Sequence, residues 1–364
     1  MAKGYAILYN CNRHFKGCLV TTTANTPPFT RVMSGMRPTG KLHLGHYWGV
    51  LHNWVSLQHQ YPSFFMVADW HALTTKVHDT QALKDNTTAM VLDWLAAGVD
   101  PNVATVYVQS HVPQIAELAL LLSMVTPVKW LETDPTLKDM VALLRASDAN
   151  NLPEGSHLTH GLLGYPLLQT ADILTLRADA VPVGSDQVAH LEVSRDIARR
   201  FNHTVGQPLF AEPKPLLTPT PLLTGLDGRK MGKSFDNAVF LSDTEADTLA
   251  KVKTAVTDPA RQRKTDPGSP EACVAVFPLH QQFSSASEVE EVRANCTSAG
   301  WGCMACKQLL ATNLNTALAP LRERRHTWEA QPNAVTELLD QGRGKAKQEA
   351  DMTLAAVREA LHLP

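Results

Sequence analysis

The chain has 364 residues, 44% of them apolar, and a formal net charge of -2 at neutral pH. That length can bury a sizeable core and accommodates about two domains. The longest nearly apolar stretch, Leu118 to Val125, falls far short of the roughly 20 residues a membrane span needs, and a near-neutral charge gives no global steering toward nucleic acid.

At the N-terminus, residues 1-29 carry apolar fragments broken by Lys3, Arg13, His14 and Lys16. With no sustained hydrophobic region and no small-residue cleavage site, they read as a poorly ordered extension and the compartment as the cytoplasm. From Val32 short apolar strands alternate with amphipathic helices. Strands are expected near 31–35, 63–69, 105–109 and 180–183, and helices near 44–60, 80–98, 114–124 and 186–202. The alternation predicts an α/β fold over residues 30-235, a doubly wound parallel sheet of Rossmann type with ligands at the strand carboxyl ends. Pro208, Pro213, Pro215, Pro219 and Pro221 predict a stiff, extended linker. Beyond Asp243 the pattern is almost wholly helical, with helices expected near 243–256, 288–296, 303–329 and 333–363. Residues 236-364 therefore read as a helical second domain.

Two segments carry most of the chemistry. His43-Leu44-Gly45-His46 opens a helical run, where free backbone N-H groups and the positive helix end favour phosphate and two imidazoles can donate to its oxygens. Lys230-Met231-Gly232-Lys233-Ser234 puts two ammonium groups on a loop rich in glycine, able to neutralise charge building on a departing pyrophosphate. Together they point to an adenylate-forming enzyme.

In this order the two segments resemble the HIGH and KMSKS signatures of class I aminoacyl-tRNA synthetases. Ser34-Gly35-Met36-Arg37-Pro38, Asp69-Trp70-His71-Ala72, the run Tyr165 to Leu174, Val181 to Gln187 and His190-Leu191-Glu192 resemble the tryptophanyl-tRNA synthetases in particular. The resemblance spans about residues 31 to 364. It implies that His43, His46, Lys230, Lys233 and Ser234 serve activation. It implies ATP binding by Arg37, Pro38, Thr39, Gly45, Gly184, Ser185, Asp186, Leu223, Met231 and Gly232, with Mg2+ accompanying the nucleotide. Tryptophan would meet Asp172 through its indole N-H, with Tyr165, Gln169, Gln187, His71, Gly35, Val181 and Val183 around it. The implied partners are L-tryptophan and tRNA-Trp, the implied assembly a homodimer through residues 117–143, and anticodon recognition falls to the helical domain. Two departures stand out: Gly232 replaces the usual middle serine, and Arg37 stands where Gln is commoner. A tyrosyl-tRNA synthetase shares much of this pattern, but would continue Gly184-Ser185-Asp186-Gln187 with Trp-Gly-Asn. A non-catalytic tryptophan- or RNA-binding paralogue is the other alternative.

Cys273, Cys296, Cys303 and Cys306 follow the spacing C-x22-C-x6-C-x2-C. Four thiols gathered around one C-x-x-C imply a metal or a cluster, zinc being the default. The spacing also resembles that of tryptophanyl enzymes that carry a 4Fe-4S cluster, so cluster, zinc and unliganded thiols all stand as expectations. Arg195, Arg199 and Arg200, with Arg322, Arg324, Arg325, Lys345 and Lys347, are the basic residues placed nearest to RNA.

Overall fold

The computed structural model describes residues 29–147, 157–184, 188–217, 223–331 and 333–364. Almost all of the N-terminal extension lies outside them, as do Ser185, Asp186 and Gln187. Two compact units divide the chain, and neither is continuous in sequence. One takes Phe29–Leu42, His46–Pro221 and Leu321–Pro364, the other His43–Gly45 and Leu222–Pro320.

The first unit is built on five parallel strands: β1 (Val32–Met36), β2 (Ser63–Val67), β3 (Thr105–Val108), β4 (Ala180–Val183) and β5 (Lys214–Leu217). Their order is β3-β2-β1-β4-β5. Such an order reverses between β1 and β4, the point where doubly wound sheets bind ligands. The sequence Ser-Phe-Phe-Met-Val of β2 is buried throughout, as a central strand covered on both faces must be. β5 corrects an expectation: part of the proline-rich linker pairs with β4, Val181 opposite Pro215. Pro215 has no N-H to give a ladder, and an edge strand is where a sheet tolerates that.

The helix expected near 44–60 is not uniform. It is α-helical at Leu44–His46, π-helical at Tyr47–Leu51 and α-helical again at His52–Leu57. Helix Leu83–Ala97 ends at Gly98, whose φ of 112° suits glycine. The C-terminal helix Ala334–Ala360 packs on β3, so closely that a Cβ built on Gly342 would lie 1.7 Å from the carbonyl oxygen of Val106.

The second unit is helical. Thr244 and Asp247 form a capping box at the start of Glu245–Thr254, and Ser285 and Glu288 do the same for Ala286–Thr297. Between them lies Val276–Phe283, which the sequence did not disclose. Helix Cys303–Glu329 follows the expected bounds, its residues up to Pro320 counting with this unit. Among the described residues no helix is long and apolar enough to cross a membrane.

Candidate active site

The carboxyl ends of β2 and β3 and one helix converge on Asp172. The helix Tyr165–Thr175 turns this residue inward until only 1% of it is exposed. His71 comes from the first turn of the helix Asp69–Lys76 that follows β2, and Gln109 from the residue directly after β3. Nε2 of His71 donates to Asp172 Oδ2 at 2.8 Å, and Nε2 of Gln109 donates to Oδ1 at 2.8 Å. The backbone N-H of His71 donates to Gln109 Oε1 at 3.3 Å. This closed ring fixes which way the Gln109 amide points and gives His71 the tautomer with its proton on Nε2. Burial raises the Asp172 pKa, and the hydrogen bonds from His71 and Gln109 work against that rise. Each oxygen thus has one donor, although a carboxylate can accept about four hydrogen bonds.

Tyr165 stands between two imidazoles. Its ring centroid is 4.2 Å from that of His71 and 6.5 Å from that of His190. His190 is itself held by Asp134, Nδ1 to Oδ2 at 2.7 Å, and both are buried. Val181 and Val183 alternate along β4 and belong to the buried core. Gly35 opens the carboxyl end of β1, where an added Cβ would lie 3.1 Å from Cε of Met66. Arg37 is near enough to oppose the rise that burial imposes on the Tyr165 hydroxyl. Gln169 shares the helix with Asp172, and Pro38, Thr39 and Gly184 follow the ends of β1 and β4.

In the second unit His43 and Gly45 meet the lysine loop. His43 bridges to Phe240, and the N-H of Leu44 donates to the Val239 carbonyl at 3.0 Å. The N-H of Gly45 donates to His43 Nδ1 at 3.1 Å. Two N-H groups that the sequence left free for phosphate are therefore already engaged, that of Leu44 by the chain just after the lysine loop and that of Gly45 by the neighbouring imidazole. Gly45 is needed for His43 itself, since a Cβ there would lie 2.9 Å from the imidazole. Burial, then the charges of Lys233 and Lys230, push the His43 pKa down to about 4. At neutral pH this ring is uncharged, accepts at Nδ1 and carries its proton on Nε2.

The loop is a tight turn organised by buried Asn237. Thr224 bridges to Lys230, the N-H of Met231 donates to the Leu223 carbonyl at 3.0 Å, and that of Gly232 donates to Asn237 Oδ1 at 2.9 Å. Asn237 Nδ2 in turn donates to the Lys230 carbonyl at 3.1 Å and to Asp227 Oδ1 at 2.6 Å. Lys230 is exposed, and Lys233 opens a short 3-10 turn that includes Ser234. Gly232 has an extended φ of -164°.

Cys273, Cys296, Cys303 and Cys306 line one small cavity with Trp301 and Val276. Burial and then the other three sulfurs push the Cys306 thiol up to about 12. Among the described residues no three His, Cys, Asp or Glu side chains form a group that could hold a metal ion.

Comparison with known proteins gives these sites a context. The family of class I tRNA synthetases (W and Y) matches residues 26–319. The tryptophan–tRNA ligase of Aquifex aeolicus is 41% identical over 396 aligned residues, covering 92% of this chain and all of that protein. That of Thermotoga maritima is 44% identical over 335 residues, covering 92% and 99%. The crystal structure of Campylobacter jejuni tryptophanyl-tRNA synthetase with ADP and tryptophan superposes with a TM-score of 0.82 at 31% identity, covering 92% of this chain and all of that one. The chain belongs to the tryptophanyl-tRNA synthetases of class I.

Three residues of this synthetase escaped sequence reasoning: Gln109, Asp134 and Asn237. Gln109 was detectable as a polar residue at a strand carboxyl end, whereas Asp134 and Asn237 carry no local signal. The basic residues placed near RNA mostly have other work in the synthetase. Arg195 and Arg199 pair with Glu192, Asp196 and Glu212, Arg325 with Asp93 and Glu329, and Lys347 with Asp351. Arg200 lies over the Trp130 ring, 5.6 Å from its centroid.

Proposed function

We propose that the protein condenses L-tryptophan with ATP to tryptophanyl-adenylate and pyrophosphate, then transfers the tryptophanyl group to tRNA-Trp. The observation that carries this reading is Asp172, buried, oriented by His71 and Gln109, and still able to accept another hydrogen bond from an indole N-H. Tyr165, with Gln187, would hold the amino-acid ends and Val181 and Val183 would wall the ring. A site that uses a specific N-H rejects amino acids lacking it far better than an apolar pocket does.

In activation an oxygen of the tryptophan carboxylate attacks the α-phosphorus, and the bond to the bridging oxygen of pyrophosphate breaks. No side chain needs to act as nucleophile or general base. Catalysis is positioning plus electrostatics: His46 and the uncharged ring of His43 would donate to phosphate oxygens, while Lys230 and Lys233 would neutralise charge on the departing pyrophosphate. Mg2+ would enter with the triphosphate and share that charge. Arg37, Pro38, Thr39, Gly45, Gly184 to Asp186 and Leu223 would complete the ATP site. Tryptophan-dependent exchange of pyrophosphate into ATP tests the reading.

The four cysteines would bind a 4Fe-4S cluster. All four residues line one cavity; burial raises the Cys273 pKa, and the N-H groups of Phe277 and Val276 work against that rise. A cluster takes one thiolate at each iron corner, so its ligands stand further apart than those of one zinc ion. When bound, it would tie the Cys273 loop to the helix beginning at Cys303. The helical residues 236-364 would serve anticodon recognition. A homodimer would form through 117–143, where Leu120, Met124 and Val128 are more than half exposed, and the enzyme would work in the cytoplasm.

A further inference from the structure

A groove of about 590 Å³ opens in the helical unit, within the size range of ligand sites. Arg261, Arg263 and Lys264 line it together with Trp301 and Met304, and none of its eleven lining residues is a carboxylate. The three cations have different tasks. Arg261 turns inward, its Nη2 donating to the carbonyls of Lys264 and Trp301, and so ties the two walls together. Arg263 and Lys264 are exposed. Unlike Arg195, Arg199, Arg325 and Lys347, they join no ion pair among the described residues. Lys264 lays its stem over Gly302, where an added Cβ would lie 3.2 Å from its Cγ. Trp301 is half-buried with its backbone pinned by Arg261, and Met304 is 54% exposed. The helix Cys303–Glu329 begins here, so its positive end adds to the field.

We propose that this groove holds unpaired nucleotides of the tRNA, with Arg263 and Lys264 on phosphates and a base stacked on Trp301. The inference rests on the tRNA reading above and names its contact surface. An aromatic face between cations is the combination by which single strands are held, and it is of little use to duplex RNA, whose bases are already stacked. On a chain with a net charge of -2, a carboxylate-free groove is a local exception that concentrates the attraction for phosphate in one place.

The test uses the full-length protein and a fluorescein-labelled anticodon stem-loop of tRNA-Trp, read by anisotropy over a range of salt. Reversing both exposed charges, Arg263→Glu with Lys264→Glu, is expected to weaken binding at least about tenfold and to reduce the salt slope by about 1.4, or about 0.7 per lost phosphate contact. The KM for tRNA should rise in step while tryptophan-dependent exchange stays at the wild-type rate. Trp301→Ala is expected to weaken stem-loop binding by roughly 5- to 150-fold, the loss of one stacked base, and Trp301→Phe to restore most of it. Unchanged stem-loop binding and tRNA charging by the double variant overturn the groove. So does an equal loss of binding to a blunt RNA duplex of the same length, which marks a general polyanion patch. Failure of the wild-type protein to catalyse tryptophan-dependent exchange is a different result, and sinks the parent reading instead.

Discussion

Asp172 combines burial with a spare capacity to accept, and that combination decides how it responds to change. In Asp172→Asn one amide group would have to face two donors, His71 Nε2 and Gln109 Nε2, so one of them loses its partner. The kcat/KM for tryptophan in activation should fall by about tenfold to a hundredfold, the range for a hydrogen bond to a charged group, with the KM for ATP little altered. An unchanged tryptophan constant would remove Asp172 from the pocket. His43 makes a prediction about pH. Its folded pKa of about 4 lies below the ordinary 6.5, so between these values the unfolded chain binds more protons. The stabilisation by the neutral ring is therefore complete above pH 6.5 and is lost as the pH falls toward 4. Unfolding measured by denaturant should show His43→Gln less sensitive to acid than the wild type across that window. Gly232 occupies an extended conformation that any residue adopts, and a Cβ there would meet only the ring edge of half-exposed Phe235 at 3.3 Å. Gly232→Ser should therefore keep or raise the activation rate, whereas Lys230→Ala should lower it far more than tryptophan affinity. A large drop for the serine variant would show that the loop depends on glycine.

At the scale of elements, strands with unbroken apolar character and helices with clear stops were legible in the sequence: β4 and the helix Cys303–Glu329 lie within the bounds the pattern predicts. β5 was not legible, because prolines conceal a strand whose pairing depends on an edge position that only the assembled sheet defines. The π-turn at Tyr47–Leu51 was hidden for a related reason, since its apolar spacing is that of an ordinary helix. Of the candidate site, Asp172, Tyr165 and His71 were named through the resemblance; Gln109 offered only its place at a strand carboxyl end, because its ring of hydrogen bonds joins segments distant in sequence, and Asn237, which organises the turn just before it, carries no local signal. Gly342 tests the packing of the last helix on β3. Helix propensity alone favours Gly342→Ala by about 1 kcal/mol, yet the new Cβ would run into the backbone carbonyl of Val106, which cannot rotate away. Overpacking wins, and a net loss of about 1 to 3 kcal/mol is expected in thermal or denaturant unfolding. A stabilised variant would mean that the helix is not held so closely to the sheet.

For the molecule as a whole, the cysteines share a compact unit with the lysine loop, but none of the residues lining their cavity is among those placed around ATP or tryptophan, which allows the two to be separated by experiment. Anaerobically prepared protein should contain about four iron atoms per chain, and Cys303→Ser should lose them. Because Cys303 and Trp301 line both the cysteine cavity and the basic groove, this variant should lose tRNA charging more than tryptophan activation. Colourless anaerobic protein with one zinc per chain would replace the cluster by a zinc site. The central claim is the identity of the amino acid, and pyrophosphate exchange measured with each of the twenty amino acids in turn tests it most directly. The account predicts ATP formation with tryptophan alone; exchange driven by tyrosine and not by tryptophan, or by no amino acid at all, would contradict it.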